Sequence, residues 1–155
     1  MEKTKGFTLI ELLIVIGIIA ILAAIIYVAV DPARRLQDAR DAERWSSVNS
    51  ILNAVLKYTV DGSGTMPPSL TGIDTGTYMI GTAGSGCDTC TATTTDTVCV
   101  DLAADVVPTY LSSMPLDPNG GTASITGYYI YRASSGRITA GSCSPDRATA
   151  VSVSR

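Results

Sequence analysis

The chain has 155 residues, with 11 basic and 14 acidic side chains for a net charge of −3, and it contains no histidine. This acidic balance lacks the basic footprint of nucleic-acid-binding domains, and the absence of histidine removes the usual general base of Ser-His and Cys-His catalysis and the commonest metal ligand. We therefore expect a protein that is not an enzyme, with no cofactor, no bound metal and no specific nucleic-acid partner.

The first 30 residues divide into a short charged leader, residues 1–6, and a long apolar run. No charged residue occurs from Leu12 to Val30. A helix over those 19 residues rises about 28 Å, close to the hydrocarbon thickness of a bilayer. The pattern predicts a membrane-spanning helix over residues 7–30. An ordinary secretory signal is the alternative, but the run is long for one and Glu11 would interrupt its apolar core.

Glu11 is the only charged residue within residues 7–30. Burying a charge in a membrane segment costs roughly 2.5 to 3.5 kcal/mol by the mildest estimates, so such a residue is functional by default and its partner should be sought. The alternative is that Glu11 lies one helical turn below a membrane surface and extends its carboxylate to water.

The helical pattern continues to about residue 60, which gives one long helix over residues 7–60. Apolar residues recur mostly three apart and predict a packed face: Ala33, Leu36, Ala39, Ala42, Val48, Ile51, Leu52, Val55 and Tyr58. The charged residues are predicted to lie on a solvated face, with possible pairs Arg34–Asp38 and Asp41–Arg44: Arg34, Arg35, Asp38, Arg40, Asp41, Arg44 and Lys57. Asp31-Pro32 fits either an N-cap before a helix-opening proline or a bend in a continuous rod.

Residues 61–155 are richer in Gly, Thr and Ser and predict a globular antiparallel β domain. The predicted strands are Thr77–Ile80, Gly127–Ala133, Arg137–Ser142 and Ala148–Ser154, with a tight connection at residues 134–136 and a short helix within Asp101–Leu111. An antiparallel sheet on the amphipathic half of the helix would bury both apolar faces. The predicted fold class is therefore α+β.

All four cysteines follow the apolar run: Cys87, Cys90, Cys99 and Cys143. An even count outside the cytoplasm indicates two disulfides, in any of three connectivities, which would fasten the polar loop 85–99. Cys143 lies between two proposed strands, so one bridge should tie this loop to the sheet. A redox motif at Cys87 and Cys90 lacks the strand and helix it needs, and a zinc site lacks a second closely spaced pair.

The most specific motif is residues 6–16, which read Gly6-Phe7-Thr8-Leu9-Ile10-Glu11-Leu12-Leu13-Ile14-Val15-Ile16. It closely resembles the amino-terminal signature of type IV prepilins and the related pseudopilins. The resemblance implies a type IV pilin-like fold, with a long amino-terminal helix packed on a small antiparallel sheet. It also implies cleavage by prepilin peptidase between Gly6 and Phe7, methylation of the new amino group of Phe7, and pairing of Glu11 with that amino group on a neighbouring subunit.

A second, less specific likeness to major pseudopilins and several bacterial pilins lies near the carboxyl end. Its residues are Tyr110-Leu111, Pro115-Leu116-Asp117-Pro118 and Tyr128-Tyr129-Ile130-Tyr131. Some major pseudopilins bind calcium in a loop after the Asp-Pro motif. The connection at residues 134–136 has no acidic residue, so the calcium site is not carried over.

The resemblance implies a structural subunit of a type IV pilus. Such a subunit waits in the inner membrane as a single-pass precursor among lipids. The inner-membrane pilus assembly machinery then polymerises it with copies of itself into an extracellular helical filament. A pseudopilin of a type II secretion or competence machinery, which forms a periplasmic pseudopilus, is the alternative within the family. Outside the family, the alternatives are a secreted or membrane-anchored disulfide-bonded binding module and a redox enzyme.

Overall fold

The computed structural model describes residues 6–73 and 75–155. The predicted leader, residues 1–6, lies outside this described part except for Gly6. The chain divides into two compact units, one ending at Leu36 and the other running from Gln37 to Arg155.

Helix α1, Leu9–Val30, makes up most of the first unit, and none of its 22 residues is buried. It is long and apolar enough to cross a membrane, judged by length and composition. At 1.5 Å per residue it rises about 33 Å, against roughly 30 Å of hydrocarbon in a bilayer. A helix that is apolar on all sides needs an apolar environment. The described part of the chain does not cover α1.

Asp31 separates α1 from helix α2, Pro32–Asp61. Its backbone is left-handed, with φ 44° and ψ 79°, a region that aspartate tolerates better than most residues. The N–H of Arg34 donates to Asp31 Oδ1 at 3.3 Å and the N–H of Arg35 to the Asp31 carbonyl at 3.2 Å. Asp31 thus accepts hydrogen bonds at the start of a helix that begins with proline, as the N-cap interpretation predicts.

The second unit contains the rest of α2, two short helices and one sheet. The further elements are α3 Pro68–Thr71, β1 Thr77–Met79, α4 Ala103–Val106, β2 Tyr128–Arg132, β3 Ile138–Ser142 and β4 Ser152–Ser154. The four strands form an antiparallel meander in the order β1-β2-β3-β4. The predicted α+β class, with a long amino-terminal helix and a small antiparallel sheet, is confirmed. Helix α3 was not predicted.

The core lies between α2 and one face of the sheet. Its buried residues on α2 are Val48, Ile51, Leu52, Ala54 and Val55, and those on β2, β3 and the segment before β4 are Tyr128, Ile130, Ile138, Ala140 and Val151. Burial of each Val, Ile or Leu side chain contributes about 1.5 to 3 kcal/mol. Along β2, buried Tyr128 and Ile130 alternate with partly exposed Tyr129 and exposed Tyr131, as the two-residue period of a strand requires.

The predicted packed face of α2 is wrong in its amino-terminal half. Val48, Ile51, Leu52 and Val55 are buried, whereas Ala33, Leu36, Ala39 and Ala42 are exposed. A step of three residues turns an α-helix by about 300°, so a run of such steps moves round to the opposite face. Extending the buried stripe upstream by steps of three and four instead reaches Arg44 and Asp41, and both are buried.

Two disulfides hold the loop between β1 and α4. Cys87 is bonded to Cys99, and Cys90 is bonded to Cys143 at the end of β3. All four cysteine sulfurs are therefore paired, which leaves no thiolate for the zinc alternative. The loop also covers the outer edge of β1, because Val100 N–H donates to the Met79 carbonyl at 2.9 Å and Asp96 N–H to the Thr77 carbonyl at 3.0 Å. Covering an edge strand blocks unwanted pairing with other chains.

Candidate functional site

The Gly6–Phe7 peptide bond lies just outside α1. The helix begins at Leu9 with Thr8 as its N-cap in an extended conformation. Gly6 is exposed, and Phe7 exposes 84% of its surface. A Cβ built on Gly6 meets nothing within 4 Å, so the reason for glycine is not a close contact within this chain. A peptidase needs an accessible, non-helical backbone, and this bond has one.

Glu11 and Thr8 form a capping box at the start of α1. Glu11 N–H donates to Thr8 Oγ1 at 3.3 Å, while Thr8 N–H and Thr8 Oγ1 donate to Glu11 Oε2 at 2.8 and 2.7 Å. Such a box satisfies backbone groups that a helix start leaves unpaired. The Thr8-x-x-Glu11 spacing was visible in the sequence, but it was not recognised there as a capping signal.

The capping box leaves one oxygen of Glu11 available. Both contacts go to Oε2, and Oε1 accepts no hydrogen bond from residues 6–73 or 75–155. An ionised carboxylate has about four acceptor positions. Glu11 can therefore keep its place at the helix start and still accept a hydrogen bond from a cationic group outside the chain.

A buried ionic cluster in the second unit was missed by the sequence interpretation. Arg44, which exposes none of its side chain, donates to Asp117 through Nε at 2.7 Å and Nη2 at 2.9 Å. Its Nη1 donates to Asp41 at 2.8 Å and to Asp146 at 2.6 Å. The prediction that Arg44 lies on a solvated face is wrong, because three carboxylates take the place of water around it. These hydrogen bonds, above all the pair with Asp117, raise the pKa of Arg44.

Asp41 accepts hydrogen bonds from the chain as well as from Arg44. The backbone N–H groups of Asp146, Arg147 and Ala148 donate to its two oxygens at 2.8 to 2.9 Å. Burial alone favours the neutral acid, but these three donors and Arg44 outweigh it and hold the pKa of Asp41 well below its usual range. The same contacts take residues 146–148 out of the sheet, so β4 begins at Ser152 and not at the predicted Ala148.

Outer members of the cluster also correct the predicted charge pairs. Arg40 donates to Asp146 through Nε at 2.7 Å and Nη2 at 3.0 Å. Hydrogen bonds from Arg40 and Arg44 lower the pKa of Asp146.

The predicted pair Asp41–Arg44 is present, but Arg34 pairs with Asp31 and Asp38 pairs with Arg147. Asp117 and Arg147, the partners of Arg44 and Asp38, lie more than 70 positions away in the sequence, which local spacing does not reveal.

The loop that carries Asp117 is shaped by tight backbone contacts. Asp117 N–H donates to the Thr126 carbonyl at 2.8 Å, and Asn119 N–H donates to Asp117 Oδ1 at 2.8 Å. Gly127 has φ +83°, and a Cβ there would lie 2.6 Å from Asp117 Cβ. Glycine is therefore required where β2 approaches the loop. In this chain, the Asp-Pro motif serves to hold Asp117 against Arg44.

Comparison with known proteins finds a match at the amino terminus. Residues 1–27 match the family model for the prokaryotic N-terminal methylation motif. The chain carries the type IV pilin and pseudopilin signature. No curated protein and no solved structure matches the chain.

The signature residues lie together, and the cysteines lie elsewhere. Gly6 and Phe7 lie just before α1 and Glu11 lies in its first turn, all in the first unit, and both disulfides belong to the second unit. The signature implies processing by prepilin peptidase and assembly into filaments by pilus machinery. The apolar helix and the motif fit a precursor anchored in the inner membrane. Proteins of this type are typically structural subunits and not enzymes.

Proposed function

We propose that the chain is the precursor of a type IV pilin, a structural subunit that polymerises into a helical filament through its amino-terminal helix. The observation that carries the proposal is the start of α1, where the signature residues lie on an accessible backbone ahead of a wholly unburied apolar helix. In this account residues 1–6 are the leader, Gly6–Phe7 is the bond cut by prepilin peptidase, and Phe7 is methylated.

The apolar surface of α1 explains why the subunit needs two successive environments. In the inner membrane, lipid covers the helix, and in a filament the helices of other copies cover it. Assembly exchanges helix–lipid contacts for helix–helix contacts, so the apolar surface stays out of water throughout. Head-to-tail association of this kind does not close into a ring and produces an open filament.

Glu11 gives this association its axial register. An unpaired carboxylate among apolar helices is costly, so subunits are favoured at the offset where a cation meets it. The amino group of Phe7 on a neighbouring processed subunit is the proposed cation, and Glu11 Oε1 is the available acceptor. Because Thr8 stays in the chain after cleavage, the capping box that orients Glu11 is retained.

A pseudopilin of a type II secretion or competence machinery is the second candidate. It is favoured by the Pro115–Pro118 and Tyr128–Tyr131 segments, which resemble those of major pseudopilins. In this chain the first segment supplies Asp117 to Arg44 and the second supplies buried Tyr128 and Ile130. These are packing roles that pilins also need, so the pilus subunit remains the first candidate.

Electron microscopy of sheared surface material from the source cells tests the proposal. We expect filaments in the wild type, none in a strain lacking the gene, and their return when the gene is restored. If the strain that lacks the gene still secretes normally and bears the same surface filaments, the proposal that the chain is a pilin is contradicted. Loss of secretion or DNA uptake without loss of surface filaments would indicate the pseudopilin instead.

A further inference from the structure

We propose that Tyr27, Arg34 and Arg35 form an interfacial belt that binds anionic phospholipid headgroups at the extracytoplasmic end of α1. The inference rests on the proposed function, because it takes α1 as spanning the inner membrane before assembly. It adds a lipid partner and three residues that lie outside the signature motif.

The position of the three residues matches the boundary of a bilayer. Tyr27 lies three residues before the end of α1 and exposes 71% of its surface. Tyrosine is enriched where the hydrocarbon meets the headgroups, because its ring is apolar and its hydroxyl is polar. Arg35 is the fourth residue of α2, about 5 Å beyond the start of that helix. The headgroup layer of one leaflet is about 5 to 8 Å thick, so both arginines fall within it.

The two arginines are also available for an external partner. Arg34 Nε lies 3.7 Å from Asp31 Oδ2, in a pair whose side chains are 65% and 50% exposed. Such a loose surface pair contributes little. The side chain of Arg35 is exposed and makes no hydrogen bond or ion pair with the part of the chain that the structure describes.

The next two arginines of α2 provide the contrast. Arg40 donates two hydrogen bonds to Asp146, and Arg44 is enclosed by three carboxylates. Those guanidinium groups are satisfied inside the second unit. Arg34 and Arg35 are left without equivalent partners, at the place where the helix would leave the membrane.

The chemistry of guanidinium groups selects the partner. A guanidinium group can donate two parallel hydrogen bonds to a phosphate, and its aliphatic stem can lie along apolar surface while the charged end stays in water. Residues 31–35 contain two arginines and one aspartate, which gives them a net charge of +1. An anionic headgroup such as phosphatidylglycerol is therefore favoured over zwitterionic phosphatidylcholine. The contact is electrostatic and should weaken as salt shortens the screening length.

Lipid selectivity of the whole chain tests the belt directly. The protein is reconstituted in phosphatidylcholine bilayers that contain spin-labelled phosphatidylglycerol or spin-labelled phosphatidylcholine. Electron paramagnetic resonance then measures the fraction of each label held at the protein. We expect the wild type to prefer phosphatidylglycerol severalfold. Arg34→Gln/Arg35→Gln should lose the preference, and Lys57→Gln/Arg137→Gln, which removes the same charge from the second unit, should keep it.

Three outcomes would overturn the proposal. The first is equal affinity of the wild type for both lipids. The second is a control variant that loses the preference for phosphatidylglycerol as fully as Arg34→Gln/Arg35→Gln does. The third is loss of the preference on adding inorganic phosphate but not on adding chloride at the same ionic strength. The last outcome would identify a site for free phosphate. A chain that is cleaved after Gly6 and builds filaments but shows no lipid preference would refute this belt alone. A chain that is never cleaved would refute the proposed function, whatever its lipid preference.

Discussion

Arg44 is a buried cation whose carboxylate partners come from three separate parts of the second unit. Asp41 lies on α2, Asp117 in the loop before β2, and Asp146 in the connection between β3 and β4. Removing one member of a buried ionic cluster leaves the others uncompensated, which costs more than the cluster contributes as a whole. The cluster therefore determines which loops pack against α2.

Replacing Arg44 should destabilise the second unit strongly. For Arg44→Met, which keeps much of the apolar stem, we expect a loss of about 3 to 5 kcal/mol in the free energy of unfolding, because Asp117 stays buried without a cation and Asp41 and Asp146 lose their contact with Arg44. Denaturant unfolding of the whole chain in detergent, followed by the fluorescence of Trp45, measures it. Arg137→Gln, an exposed change, should stay within about 0.5 kcal/mol. Equal effects of the two variants would show that the cluster is not a stabilising contact.

Acid should destabilise the same unit through Asp41 and Asp146. Both have a lowered pKa in the folded chain, so the unfolded state binds more protons, and their contribution is present above the unfolded pKa of about 3.9. It is lost as the pH falls through the folded values. We expect the free energy of unfolding to decline from about pH 5 downward, with a shallower decline in Asp41→Asn. An unchanged slope in that variant would contradict the assigned role of Asp41.

At the scale of elements, the two disulfides differ in the length of chain that they close. Cys87–Cys99 spans 12 residues and Cys90–Cys143 spans 53. The chain-entropy model assigns about 3 kcal/mol to the shorter loop and about 4 kcal/mol to the longer one. The longer bridge also ties the loop that covers the edge of β1 to the end of β3.

Removing the longer bridge should therefore cost more than removing the shorter one. We expect Cys90→Ser/Cys143→Ser to be less stable than Cys87→Ser/Cys99→Ser by about 1 kcal/mol, measured by thermal unfolding of oxidised protein. Non-reducing peptide mapping of the wild type is the control and should find these two bridges. A Cys87–Cys90 bridge in that map would contradict the pairing.

The elements differ in how far the sequence could predict them. The strands around residues 77–79, 128–132 and 138–142 were predictable, because apolar residues there alternate and turn residues separate them. The start of β4 and the buried charged stripe of α2 were not predictable, because both depend on contacts between α2 and residues 146–148. At the start of α1, Gly6, Phe7 and Glu11 were found from a local motif, which needs no distant partner.

For the whole molecule, the two units have different requirements. The second unit has a covered sheet edge, two disulfides and an internally satisfied ionic cluster, so it is suited to water. Helix α1 of the first unit is unburied and apolar, with Glu11 as its one carboxylate, and under the proposed function lipid and then other copies cover it. These two parts suit the proposed function, in which the amino terminus is processed and the apolar helix is then buried among other copies.

Glu11→Ala should separate processing from assembly. The variant lacks the carboxylate that is proposed to set register, but the Gly6–Phe7 bond and the apolar side chains of the helix are unchanged. We expect normal cleavage and membrane insertion and few or no filaments, measured by intact mass of membrane extracts and by microscopy of sheared material. Glu11→Asp is the matched control, since it keeps the charge and should restore part of the assembly. Wild-type filament yield from Glu11→Ala would show that the carboxylate only caps the helix and extends to water.

The intact mass of the chain isolated from sheared surface filaments tests the central claim most directly. The account predicts a chain that begins at Phe7 and is heavier than that sequence by one methyl group, with both disulfides closed. A chain that begins near residues 25 to 30 would identify an ordinary secretory signal and contradict the account.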